Sequence, residues 1–408
     1  MEEGISLHKI AKIGCISFIF YIFWFKYSFR QINLFLYAAV FAAAGSMILD
    51  LWFYQKNITD FCPVGVLINL VMVVYSLVTG IWVAIYQDTV ISLSKTYACY
   101  TAVCIVICYV SKEEGSIDWI INSLIAACIV ISVFLIVKGY PVEGYGYVLG
   151  PAQNPNLLGL IMAVGLFCLA YKSRKGTEHI GLYLCIAMLF VYSIVNSGSR
   201  KSLLAGGIII ILWMVPLVKK IWDSSNNNVH FVLIVAAVLI VGGAVYYFTT
   251  EFINTDIYKR LQQLGDDDEF SSRARKLYYV FALDYWAERP FFGIGLGQFQ
   301  YWNPYRQMSH STYAESISCW GLIGCLIYYM PVFTAGLRAV SLSFSSKDAY
   351  VPRIVLAVLA MEFFLGIGQV WFYEIEHQIT WTLIYYLIDD QLTKVELEPR
   401  RVYKYVKA

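Results

Sequence analysis

Charge is what this chain has least of: Asp, Glu, Lys and Arg together make 14% of 408 residues, while 59% are hydrophobic. A water-facing globule needs about 25% charged residues, so a soluble fold is excluded. A net charge of only +2 gives no electrostatic footprint for nucleic acid. No two cysteines are spaced CxxC, and nearly all ten lie within apolar runs, as small buried hydrophobes rather than metal ligands or disulfide partners. The N-terminal stretch around Lys9 and Lys12 lacks a small-residue cleavage site and reads as a first helix rather than a signal peptide. Histidine is rare as well, with five residues, so a histidine in a polar segment carries weight.

What the chain has instead is long apolar runs. About 18 or more apolar residues in a helix cross a hydrocarbon core of roughly 30 Å. Such runs recur at about 8–25, 32–54, 63–86, 89–110, 117–137, 156–171, 180–197, 202–221, 229–248, 319–338, 351–373 and 376–390. The expected fold is an all-α polytopic membrane protein of about twelve transmembrane helices, with 1–408 as a single membrane domain and both termini on one side. Lysine and arginine gather in the short loops on that side, about 17 against about 5 on the other. That side is therefore cytoplasmic, and the long loop of 249–318 between spans nine and ten is extracytoplasmic.

Within that loop, "GDDDEFSSRARKLYYVFALDYWAERPFFGIG" predicts an amphipathic helix of about 272–287, begun by Ser271 or Ser272 and stopped before Pro290. Leu277, Phe281 and Tyr285 share one of its faces. Gly293, Gly295 and Gly297 then mark a turn. With no preceding strand and no following helix, they do not make a nucleotide-binding loop.

Several residues in external segments suit chemistry. Arg200, in "VNSGSRKSLLAGG", breaks the charge rule by lying on the outer side, at the start of a helix opened by Ser199 or Ser202. A guanidinium fork and a helix N-terminus both favour an anion such as phosphate. The alternative is that Arg200 reaches lipid headgroups or pairs with Asp266. Arg273, on the amphipathic helix, is a weaker candidate of the same kind. His310 precedes span ten, and a helix N-terminus disfavours the imidazolium, which suits a general base; the plainer reading is a capping residue. Thr312-x-x-Glu315 forms a capping box. "GYGYVLGPAQNPNLLG" offers Tyr145, Tyr147, Asn154 and Asn156 to a sugar, though an interfacial belt also explains the tyrosines. His377 lies in a tight external turn with Glu374 and Glu376, where a metal site is weighed and set aside.

Taken in order, four elements resemble the bacterial O-antigen ligase and O-antigen polymerase superfamily. They are Asn154-Pro155-Asn156 with Gly159; Ser197-Gly198-Ser199-Arg200; Arg273 followed by Glu288-Arg289-Pro290-x-x-Gly293-x-Gly295; and His310-Ser311-x-Tyr313-x-Glu315 followed by Gly321-Leu322-Ile323-Gly324. The sequence departs at Ser311, where many relatives have asparagine. The resemblance implies a GT-C-like, metal-independent glycosyltransferase without cofactor in the bacterial inner membrane. Its donor would be an undecaprenyl-pyrophosphate-linked oligosaccharide and its acceptor another glycan, with a flippase and a chain-length regulator as candidate partners. It assigns His310 as base and Arg200 and Arg273 to the pyrophosphate, with Asn154, Asn156, Tyr313 and Glu315 lining the sugar site. A surface polysaccharide polymerase is the first expectation, because the chain shows no appended acceptor-recognition domain. A ligase acting on lipid A-core or protein is the second. A transporter or flippase comes from another class, with Asp88 and Lys95 as its intramembrane candidates.

Overall fold

The computed structural model describes residues 6–22, 33–83, 86–138, 142–143, 147–148, 155–174, 179–224, 270–345 and 349–406. In chain order the helices are α1 (Leu7–Phe20), α2 (Asn33–Tyr54), α3 (Val64–Thr79), α4 (Gln87–Glu113), α5 (Asp118–Lys138), α6 (Pro155–Ser173), α7 (Ile180–Ser197) and α8 (Arg200–Ser224). Then come α9 (Phe270–Glu288), the short α10 (Phe299–Trp302), α11 (Thr312–Ser345), α12 (Tyr350–Gly366) and α13 (Ile375–Val406). A two-residue antiparallel pair, Val142–Glu143 with Tyr147–Val148, lies between α5 and α6.

Among the described residues, six helical stretches are long and apolar enough to cross a membrane: Phe35–Tyr54, Gln87–Glu113, Asp118–Val137, Asn156–Ser173, Ile180–Ser197 and Thr312–Ser345. Val64–Thr79 and Lys201–Val215 are shorter apolar helices. This is an all-helical, multiply spanning architecture. Of the twelve crossings expected, the ninth, at 229–248, lies outside the described residues, as do residues 249–269 of the long loop. Many apolar side chains face outward: Phe41 is 82% and Trp52 80% exposed on α2. Such residues are costly in water and at ease against hydrocarbon.

The chain forms two compact units, residues 1–127 with 270–408 and residues 128–269. In the first, α1 packs on α2 and both reach α4; α3 lies along α4 and α11; α9, α12 and α13 pack against α11. Ion pairs tie the ends of α1, α2 and α4: Lys12 to Glu114 at 3.1 Å, and Lys56 to Asp50 at 2.9 Å and Glu113 at 2.8 Å. In the second unit, α7 and α8 pack on α6 and on each other. Leu158, Leu160, Met162 and Phe167 of α6 are fully buried.

Candidate functional site

The first unit holds a break in a long helix. At Gly321 the backbone of α11 leaves helical geometry (φ 64°, ψ −168°). An unbroken helix would pair the N–H groups of Leu322 and Ile323 with the carbonyls of Ser318 and Cys319. Here Leu322 donates to Pro290 O at 2.8 Å and Ile323 to Phe291 O at 3.0 Å. The released carbonyls of Ser318 and Cys319 accept from Ile294 at 2.9 Å and Gly295 at 3.0 Å. Two helical bonds are thus replaced by four bonds to the segment between α9 and α10, and no buried backbone group among these is left unpaired.

The side of α3 completes this clasp. Tyr75 donates its hydroxyl to Trp320 O at 2.6 Å, Trp82 donates to Gly293 O at 3.1 Å, and Thr79 Oγ1 accepts from Leu296 N–H at 3.3 Å. Both central glycines are required here. Gly293 (φ 69°) lies so close to Cys319 that a Cβ would sit 2.4 Å from its carbonyl carbon, and one on Gly321 would sit 2.6 Å from Gly293 N. Two motif segments of the sequence, Pro290-x-x-Gly293-x-Gly295 and Gly321-Leu322-Ile323-Gly324, therefore meet as structure.

Above the clasp, the turn before α11 presents His310. Its side chain is exposed and its φ is +54°, a left-handed conformation that a non-glycine residue holds only at a cost of about 1–3 kcal/mol. The neighbours over-determine it. Ser309, fully buried, donates its N–H to Glu315 Oε2 at 2.9 Å and its hydroxyl to Ser311 O at 2.8 Å. Ser311 donates its N–H to Ser309 Oγ at 3.2 Å, and its own Oγ accepts from Ala314 N–H at 3.4 Å. Thr312 donates both its N–H, at 3.0 Å, and its hydroxyl, at 2.7 Å, to Gln369 O, and accepts from Trp371 N–H at 3.0 Å.

This corrects the expected capping box. Ser311, not Thr312, caps the helix, and Glu315 reaches past the cap to the N–H of Ser309. The reason is tertiary: the α12–α13 turn has already taken the polar groups of Thr312. Glu315 and Tyr313, expected at a sugar, are engaged within the protein. Glu315 is 1% exposed and also accepts from the Tyr373 hydroxyl at 3.4 Å, while Tyr313 donates to Phe363 O at 2.6 Å.

Helix α9 runs over Phe270–Glu288, where the sequence suggests about 272–287. Its packed stripe is turned by one residue from the expected Leu277, Phe281 and Tyr285: Tyr278 and Ala282 are buried, Phe281 and Tyr285 half-buried, and Leu277 is exposed with Val280 and Leu283. Apolar residues occur on both faces, so periodicity alone did not single out the packed one. The Tyr278 ring lies 6.0 Å from that of His310 and its hydroxyl donates to Gln307 Oε1 at 3.0 Å. Burial, and then the neighbouring Tyr305, raise the Tyr278 pKa, which keeps that hydroxyl a donor. Tyr279 donates to Ile367 O at 2.7 Å, fastening α9 to the turn that holds Thr312. Arg273 lies in the first turn of α9; its side chain is outside the described residues.

In the second unit, "NSGSR" joins two helices. Gly198 (φ 70°) ends α7 and Ser199 caps α8, its Oγ accepting from Ser202 N–H at 3.3 Å. Arg200 is then the first residue of α8, with its side chain outside the described residues. Ser199 donates to Asn156 Oδ1 at 2.7 Å, and Ser202 donates to Asn156 O at 3.4 Å. A Cβ on Gly159 would overlap Ser202. The motif elements around Asn156 and Arg200 thus meet within this unit. Asn154, Tyr145, Pro151 and Asp266 lie outside the described residues.

Sequence reasoning missed the partners that hold His310: Ser309, Tyr278, Gln369 and the α12–α13 turn. Only Ser309, a hydroxyl beside the histidine, left a signal. His377 is likewise not a turn residue but part of the first turn of α13, 2% exposed, with Nδ1 2.6 Å from Glu362 Oε2. Among the described residues, no three His, Cys, Asp or Glu side chains gather as metal ligands.

Several apolar helices of spanning length and an exposed histidine on a pinned, left-handed turn define the class: a polytopic integral membrane protein with a polar site at a helix mouth. Residues 184–329 match the family model described as O-Antigen ligase (Wzy_C), and the match supports the O-antigen ligase and polymerase superfamily that the motifs resemble. Members of that family are glycosyltransferase-like enzymes. The matched segment holds Arg200, Arg273, both glycine segments of the clasp and His310; Asn154 and Asn156 precede it, as do Tyr75, Thr79 and Trp82. No curated protein matches the chain.

Proposed function

We propose that this chain moves a glycan from a polyprenyl pyrophosphate donor to a hydroxyl of an acceptor glycan, most simply as a surface polysaccharide polymerase on the outer face of the bacterial cytoplasmic membrane. The observation that carries the reading is His310: an exposed imidazole, within the matched segment, held in an unfavourable backbone conformation by buried hydrogen bonds on both sides. Strain of that kind persists where a side chain must be presented in one direction.

His310 accepts the proton of the acceptor hydroxyl as its oxygen attacks the anomeric carbon. The bond from that carbon to the pyrophosphate oxygen breaks, and the polyprenyl pyrophosphate leaves as an anion. Such a leaving group has a low pKa and needs charge stabilisation rather than a proton, the role that the resemblance gives to Arg200 and Arg273. The same resemblance gives Asn154 and Asn156 to the sugar. Glu315 takes a different role from the one first expected, anchoring the backbone of Ser309 beneath the base.

A ligase is the second reading, favoured by the description of the matched family. Reconstitution in nanodiscs with a synthetic undecaprenyl-pyrophosphate oligosaccharide and no divalent metal separates the two. A ladder of products that vanishes with His310→Ala supports the polymerase. Transfer only after an outer-leaflet acceptor is added supports the ligase. No transfer in either case, with uptake of glycan into liposomes, would replace both by transport.

A further inference from the structure

A second polar cluster lies buried in the first unit and takes no part in the proposed chemistry. His377 Nδ1 faces Glu362 Oε2 at 2.6 Å, and His377 Nε2 faces the Tyr328 hydroxyl at 2.8 Å. Tyr328, Glu362 and His377 belong to α11, α12 and α13, and are 3%, 4% and 2% exposed. Thr312 and Tyr313, the first two residues of α11 after the His310 turn, line a small cavity together with Tyr329, Glu362, His377 and Trp381.

Stability alone is a poor reason for this pair. A buried ionisable pair is on average no better than well-packed apolar side chains of the same volume, and among apolar helices it is costlier still. Nor is the pair fully satisfied: Glu362 Oε1 finds no hydrogen-bond partner among the described residues.

Its place in the fold gives a better reason. Helices α12 and α13 both pack on α11 and are joined by a turn that runs from Ile367 to Glu374. Glu362 lies just before that turn and His377 just after it, so their contact ties the two ends of the turn together. The turn is the element that takes both polar groups of Thr312, through Gln369 O and Trp371 N–H, and it also accepts from Tyr279 through Ile367 O. Beside the pair, Phe363 O accepts the hydroxyl of Tyr313. From the pair to the histidine the path is continuous: Glu362 and His377 fix the two ends of the turn, and the turn fixes Thr312, two residues from His310.

We propose that Glu362 and His377 are positioning residues for His310, stapling the base of the turn that holds the histidine's own turn in place. The proposal rests on reading His310 as the acting base, and its test keeps the two apart. In nanodiscs, the full chain carrying Glu362→Leu with His377→Leu, and a second variant exchanging the partners (Glu362→His with His377→Glu), are compared with the native protein. Amide hydrogen exchange at 309–314 and 369–371 reads the position of the turn, and transfer kinetics read its use.

For the apolar pair we expect an intact fold, exchange in these segments faster by about tenfold, and a kcat lower by about tenfold with the donor KM within about twofold. Exchanging the partners restores a substantial part of both. If the apolar variant does not fold, the exchanged variant decides, since it keeps the contact. Unchanged exchange at 309–314 in a folded apolar variant, or unchanged kcat, overturns the proposal. Faster exchange in a protein that shows no transfer even in native form would sustain the staple and sink the glycosyl-transfer reading instead.

Discussion

His310 combines two properties that pull against each other: exposure, which lets it meet a substrate, and a left-handed backbone, which an unconstrained histidine avoids. Substitution by glycine separates them. With His310→Gly the turn loses its steric penalty, so the melting temperature should stay level or rise, while glycan transfer falls by at least about a hundredfold. A thermal melt and a product gel on the same preparation check this, and retained transfer would remove the histidine from the chemistry. Gly321 gives the opposite result. Gly321→Ala places a Cβ against Gly293 at φ +64°, so the fold should lose a few kcal/mol and the melting temperature should drop by several degrees. The sequence announced the histidine through its rarity and its polar setting. It did not announce the strain, because that is imposed by Thr312, Glu315 and the α12–α13 turn, which are brought to the site by folding.

Among the elements, α11 shows how a local cap and a distant turn divide the work. Ser311 stands where many relatives have asparagine, and the structure makes it the N-cap of α11. Asparagine is as good a cap as serine, and alanine is worse by about 0.5–2 kcal/mol. Ser311→Asn should therefore keep both stability and transfer, and Ser311→Ala should lower the melting temperature, as thermal unfolding in nanodiscs would show. Helix α9 was legible as an element but not in its orientation. Its end follows from Pro290, but it begins at Phe270, ahead of the serines expected to open it, and Tyr278 rather than Leu277 is the buried residue, its hydroxyl on Gln307. The clasp was legible only as two glycine patterns. Nothing in either pattern says that Pro290–Gly295 would supply the hydrogen bonds missing at Gly321, since that partnership joins segments about thirty residues apart.

At the scale of the whole molecule, apolar run length specified an all-helical membrane protein because hydrocarbon leaves a helix few alternatives. Among the described residues, six helices meet the length and polarity of a crossing. The orientation expected from the lysine and arginine bias is open to a direct measurement. In a cysteine-free background, His310→Cys should react with a membrane-impermeant maleimide in intact cells, and Thr393→Cys, exposed in the second half of α13, should react only after permeabilisation. The reverse pattern would put the proposed site on the wrong side of the membrane for a lipid-linked glycan carried outside. The break in α11 bears on synthesis as well as on shape. Pro290–Gly295 emerges from the ribosome before Gly321 does, so the backbone that completes the broken helix is made before the helix itself. The four bonds across the break can close only when residues 318–323 reach that earlier segment, so the order of translation bears on how the broken helix is completed.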